Sequence, residues 1–465
     1  MLTGKCHSLV AVTRLTALAV LLVGGAIGCK EKTAAKNTAP LREQQLVRIQ
    51  SFFVTKEKQA NALAAKDGKK LDSEIQDCFN AGIKGDWKSM SKKYKALNEQ
   101  RSSGHPRESL RTASSQCLLE AGGSYELIAS GEPKYIQTWE RDIFDSIPTG
   151  SIYFGATDAG RFLITAFSKS HVKGDPFFTL TQNALADGTY LEYLRSMYGG
   201  TISTPTGEDS QRCFNDYLAD AQKRLASNQL RPGEDVKVEG GRVQVSGQVA
   251  VMAINGLLVK TIFDKNPDRE FYIEESFPLD WMYSYLEPHG LILKINREPL
   301  PEISDKVIDQ DREYWSSRMN SMIGDWLTNE TPIKVVTDFV EKVYLRKDLN
   351  GFKGDPLFVQ SDDTQKMFSK LRSSVGGLYV WRMEHATSKE EKARMARAAD
   401  LAFRQALALC PYSPEVVYRY VQLANSENRI SDAILVASTC AKLDPDNKQI
   451  KDLIQQLKLQ MPKGE

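Results

Sequence analysis

The segment Leu409-Cys410-Pro411-Tyr412-Ser413 recurs as Leu443-Asp444-Pro445-Asp446-Asn447, 34 residues further along. Ala399 and Ala433 keep the same offset. A fixed period of this length constrains the fold strongly, because one short unit cannot bury its apolar face alone and must stack on the next. Between the two copies, Ser413-Pro414-Glu415 supplies a helix start. Tyr418, Tyr420 and Leu423 supply packing residues, and Asn428-Arg429 turns the chain into a second helix at Asp432-Ala433-Ile434. The C-terminal end is therefore expected to be stacked helical pairs.

The period and its turn residues resemble the tetratricopeptide repeat (TPR) over residues 396–457. The resemblance implies helical hairpins that present a surface to partner proteins. A degenerate N-terminal copy is carried by Cys78-Phe79, Gly85-Asp86-Trp87 and Tyr94, with Gly-Asp-Trp at the turn.

The hydrophobic period changes at Ile147-Pro148-Thr149-Gly150-Ser151-Ile152-Tyr153-Phe154. Residues 151–155 form an apolar run flanked by Gly and Pro, suited to a buried strand. A polar, Gly-rich loop follows, Gly155-Ala156-Thr157-Asp158-Ala159-Gly160-Arg161, and then a helix start. Further on, residues 177–182, 270–275 and 291–295 read as strands and 249–263 and 280–286 as helices. Such alternation predicts a central α/β domain with a mainly parallel sheet, flanked by all-α segments and ending in the TPR-like hairpins. In parallel sheets ligands bind beyond the carboxyl ends of the strands. That places a candidate ligand site at the 155–161 loop, with Thr157 and Asp158 binding a polar group and Arg161 holding an anion. The same residues also suit a plainer role, in which Thr157 or Asp158 caps the helix and Arg161 makes a surface ion pair. Glu274 and Glu275 are expected to be solvated charges at a strand end. Trp281, Tyr283 and Tyr285 suit core packing, with stacking on a sugar ring as the alternative.

At the N-terminus, Lys5 and Arg14 precede a short apolar run at 15–27 that ends in Ala26-Ile27-Gly28-Cys29. Small residues before a cysteine, directly after such a run, resemble the lipobox of bacterial lipoproteins. The resemblance implies cleavage before Cys29 and acylation of that residue, and Lys30 after it implies the outer membrane, facing the periplasm. Acyl chains contribute about 0.8 kcal/mol per buried CH₂, so several of them anchor firmly. Residues 29–40 read as a flexible tether. Without Lys5 and Arg14 the chain has 59 basic residues against 59 acidic ones, so no nucleic-acid footprint is expected. Five cysteines follow Cys29, none in a zinc-binding spacing, and no metal or cofactor is expected. Cys78 and Cys117 fall on neighbouring helical segments and form the candidate disulfide.

Short motifs across 148–379 resemble the extracytoplasmic soluble region of a mannosyltransferase-like bacterial membrane family. They are Pro148-Thr149-Gly150-Ser151-Ile152-Tyr153-Phe154, Arg269-Glu270-Phe271-Tyr272-Ile273, Glu287-Pro288-His289-Gly290-Leu291 and Phe368-Ser369-Lys370-Leu371-Arg372 with Gly377-Leu378-Tyr379. The resemblance implies an α/β domain leading into helical repeats outside the cytoplasm. It does not carry glycosyl transfer to this chain, whose loop after the first strand is poorer in Asp and Asn. The sequence holds no P-loop, GxGxxG or GxSxG signature, so no catalytic residue is assigned. The expected order is a signal peptide at 1–28, the tether, an N-terminal helical region at 41–135, the α/β domain at 136–305, a helical region at 306–390 and the TPR-like repeats at 391–465. The expected function is a lipid-anchored envelope protein that binds other proteins through its repeats. The alternative is a ligand- or glycan-binding α/β domain with its site at the 155–161 loop.

Overall fold

Helix signals dominate both ends of the chain, and the computed structural model describes residues 34–103, 107–240, 242–274 and 280–460. Cys29 and the signal-like run lie outside the described residues. Of the expected flexible tether at 29–40, residues 29–33 lie outside the described residues and residues 34–40 belong to a helix that runs from Ala34 to Lys66.

The expected succession of domains is replaced by two interleaved units. One takes residues 47–123 and 180–268; the other takes 34–46, 124–179 and everything described from 269 onward. Most of the long segment between the strands Ile152–Gly155 and Phe271–Ile273 belongs to the same unit as the N-terminal helices.

In the first unit, the helices Ser73–Ile83 and Trp87–Arg101 form a hairpin. Each starts on an aspartate that accepts backbone N–H groups of the first turn, Asp72 from Glu74 and Ile75, and Asp86 from Ser89. Gly82 sits on the Phe53 ring, where a Cβ would overlap it. Lys56 is fully buried here, yet it is ion-paired with Glu120, donates to Gln59 at 3.1 Å and contacts the Tyr193 hydroxyl, which itself donates to Glu120 at 2.6 Å. A second small core joins the helices Gly207–Ala226 and Gly247–Lys265 to the hairpin Asp235–Glu239 and Arg242–Ser246 through Tyr217, Ala221, Val236 and Ala250. Among the described residues, Gly247–Lys265 is the one helix long and apolar enough to span a bilayer, and Leu258, Val259 and Ile262 are buried in the unit.

The five-stranded sheet has the order Phe178–Thr181, Ile152–Gly155, Phe271–Ile273, Ile292–Ile295, Leu286–His289. Ile152–Gly155 pairs parallel with Phe271–Ile273, with Tyr153 opposite Tyr272. The next two pairings are antiparallel. The sheet is therefore mixed, which corrects the expectation of a mainly parallel one. The last of these pairings follows from the two-residue connection Gly290-Leu291, with Gly290 at φ 62°, because a tight hairpin can only join antiparallel strands. Leu286 to His289, expected as a helix end and turn, is the outer strand of that hairpin.

The same unit continues into helices: Asp305–Met322, Ile333–Val340, Asp362–Glu384, Lys389–Leu409, Pro414–Ser426, Ile430–Leu443 and Lys448–Gln460. From Asp362 onward, consecutive helices pack against each other. Two helices end at Leu409 and Leu443, and two begin at Pro414 and Lys448, so element boundaries repeat every 34 residues. Gly376 and Gly377 permit close approaches between these helices. A Cβ on Gly376 would lie 2.5 Å from the Phe403 ring, and one on Gly377 would lie 2.6 Å from Arg419 Nη1. Arg419 crosses at that point and donates to the Ser373 carbonyl at 2.9 Å.

Candidate functional site

The 155–161 loop follows Ile152–Gly155, as its sequence suggests, and leads through a π-helical turn at Ala159–Leu163 into the helix Ile164–Phe167. Its donors point inward. Glu274, one residue past Phe271–Ile273, is buried beneath the loop at 1% exposure. Its Oε2 accepts from the Ala156 amide at 3.2 Å, the Thr157 amide at 3.0 Å and the Thr157 hydroxyl at 2.8 Å. The Thr157 hydroxyl in turn accepts from the Gly160 amide at 3.0 Å, capping the turn. Gly160 is needed because a Cβ there would overlap the Glu274 carboxylate. The loop therefore closes over an anion that the chain itself supplies.

This geometry corrects the reading of Glu274 as a solvated strand-end charge. The parallel register sets Ile273 beside Phe154, and the Glu274 amide donates to the Phe154 carbonyl at 3.0 Å, which delivers the side chain to the loop. Burial pushes the Glu274 carboxyl above its ordinary range, against the opposing pull of the Thr157 and Ala156 donors. The fully buried Tyr153 phenol faces it and is pushed well above its own range by burial and by the Glu274 charge. Glu275 lies outside the described residues.

Of the three residues marked in the loop, Thr157 is engaged by Glu274 and Gly160. Asp158 is exposed and makes no capping hydrogen bond. Arg161 lies over the Phe162 ring, 4.5 Å from its centroid, and is not ion-paired with Asp158. Thr157 thus takes the capping role, with its hydroxyl engaged by Glu274 and Gly160. Tyr283 is buried and stacks on Trp381 at 5.5 Å, so that ring face is already covered. Cys78 and Cys117 are not bonded to each other. Both thiols are free and buried, and burial pushes each up to about 12, which makes both weak nucleophiles. Among the described residues, no three His, Cys, Asp or Glu side chains gather at a metal position.

The recessed surface lies elsewhere, in the second unit. A cleft of about 790 Å³ is bordered by the helices Asp305–Met322 and Lys389–Leu409, by Asn329 and Glu330, and by the turn at Glu427 to Arg429. Six arginines and six carboxylates line it. Arg372 and Asp311 belong to this lining and are buried at 1% and 4% exposure. Arg372 Nη1 donates to both Asp311 oxygens at 2.9 and 2.8 Å, its Nε donates to Gln405 at 2.7 Å, and the guanidinium lies over the Trp315 ring. Tyr379 donates to the same aspartate at 2.9 Å. Around this centre, Arg404 and Arg429 share Asp400 at 2.6 and 2.7 Å, and Arg312 pairs with Asp309 at 2.8 Å. Sequence reading missed the cleft, because Asp311 and Arg372 are 61 positions apart and nothing local pairs them.

No family model matches the chain, and no curated protein or solved structure is significantly similar to it.

Proposed function

We propose that this chain is a lipid-anchored protein of the bacterial envelope whose C-terminal helical hairpins, of TPR-like type, bind a partner protein. The observation that carries the reading is the 34-residue recurrence of helix boundaries, with ends at Leu409 and Leu443 and starts at Pro414 and Lys448. Stacked helical repeats of that length build extended surfaces that partners can occupy. The final helix Lys448–Gln460 fits this description, with Lys451, Gln455 and Leu459 all exposed. The anchor rests on the lipobox-like Ala26-Ile27-Gly28-Cys29, which precedes the described residues.

The test is co-purification of the full-length protein from detergent-solubilised envelopes, beside a variant carrying Gln422→Glu and Lys451→Glu. Both positions are exposed, so the fold should hold. A defined partner in fixed stoichiometry, lost from the variant, is the expected result. Identical recovery with both proteins would refute the hairpins as the binding surface.

A further inference from the structure

We propose that the arginine-lined cleft is a binding site for a ligand bearing a single oxyanion, a carboxylate or a phosphate, received between Arg372 and Arg397. This is a second activity, independent of partner binding by the hairpins.

Arg372 is buried and rigidly held, yet only part of its guanidinium is used. Nη1 and Nε have partners, whereas Nη2 makes no hydrogen bond among the described residues. Nη2 reaches the open space of the cleft, where an acceptor carried by a ligand can meet it. Arg397 adds a second cation. It lines the same cleft, is exposed and has no ion-pair partner among the described residues. It lies on Lys389–Leu409 three residues after Arg394 and seven before Arg404, a spacing that aligns all three along one face. A guanidinium offers paired donors matched to the two oxygens of a carboxylate or phosphate.

The carboxylates of the lining leave Arg372 Nη2 and Arg397 open: Asp305 is paired with Arg394, Asp309 with Arg312 and Glu427 with Arg429. Asp311 is held by Arg372 Nη1 and Tyr379, Asp400 by Arg404 and Arg429, and Glu330 accepts from the Thr328 hydroxyl. The equal count of arginines and carboxylates also limits the class of ligand. A polyanion would meet no net positive field, so the attraction is local and suits one anionic group on a small molecule. The volume of about 790 Å³ suits a ligand of that scale.

The experiment is isothermal titration of the full chain with inorganic phosphate and, separately, with propionate, against sodium chloride at matched ionic strength. Saturable binding of at least one of the two is expected, and which one binds identifies the oxyanion. Arg397→Ala changes an exposed side chain and should fold normally, while binding about tenfold more weakly. Arg372→Lys keeps the charge but removes the fork, and should weaken binding further; if it does not fold, Arg397→Ala alone decides. No saturable binding of either anion, or unchanged affinity in Arg397→Ala, would overturn the proposal.

Discussion

The Glu274 carboxylate is seated on Thr157, accepting from its amide at 3.0 Å and from its hydroxyl at 2.8 Å. A glycine-rich loop after a strand usually suggests an open anion site, since its amides point at one place. Here the place is filled by a side chain from the neighbouring strand, so the loop works as a clasp between two strand ends.

Replacing Glu274 by Gln should leave the clasp closed, because the amide oxygen still accepts from Thr157 and Ala156. Burial holds the folded carboxyl above its ordinary 4.5. The folded state then binds that proton more tightly than the unfolded state, so this group's contribution is greatest at low pH and declines as pH rises above 4.5 through the folded value. Urea denaturation of wild type and Glu274→Gln across this range should therefore show wild type losing ground to the variant as pH rises. Glu274→Ala, which leaves the buried donors unanswered, should lose about 1–3 kcal/mol throughout.

Gly160→Ala should destabilise the protein by about 1–3 kcal/mol, since the new methyl group overlaps the Glu274 carboxylate. The cost should shrink in a Glu274→Ala background, where the space is free. A double-mutant cycle by chemical denaturation measures the coupling. Additive effects would mean that the two positions do not touch.

Asp311→Ala should cost about 3–5 kcal/mol, because it leaves Arg372 buried without its counter-charge. The double variant Asp311→Leu with Arg372→Met should recover much of that loss, since an apolar pair needs no compensation. Thermal and urea unfolding of the three proteins provides the comparison.

Cys29→Ser should move the protein from the membrane fraction to the soluble fraction and abolish incorporation of labelled fatty acid, if the lipobox-like segment is processed as its resemblance implies. Fractionation of cells expressing each form reads this directly.

Local chemistry in the sequence marks the parts of this fold that depend on few residues. Gly85-Asp86-Trp87 marks the turn of the first hairpin because Asp86 caps the next helix, and Pro411 and Pro445 mark helix ends because proline cannot continue them. The features left hidden depend on pairing at long range. Glu274 looks like a solvated charge until the register with Phe154 is known. Leu286 to His289 becomes a strand because Ile292–Ile295 returns beside it, overriding the helical look of the residues before it. The cleft depends on Asp311 meeting Arg372 across 61 residues, which no local pattern encodes. The mixed sheet and the interleaved units have the same origin.

The most direct test of partner binding is site-specific photo-crosslinking in living cells. A crosslinker is placed at Gln422 on Pro414–Ser426 or at Gln455 on Lys448–Gln460, with Gln222 in the other unit as control; all three are exposed. A discrete adduct with one other protein, formed from Gln422 and Gln455 but not from Gln222, is the predicted result. No adduct from either hairpin position, or the same products from all three, would contradict it.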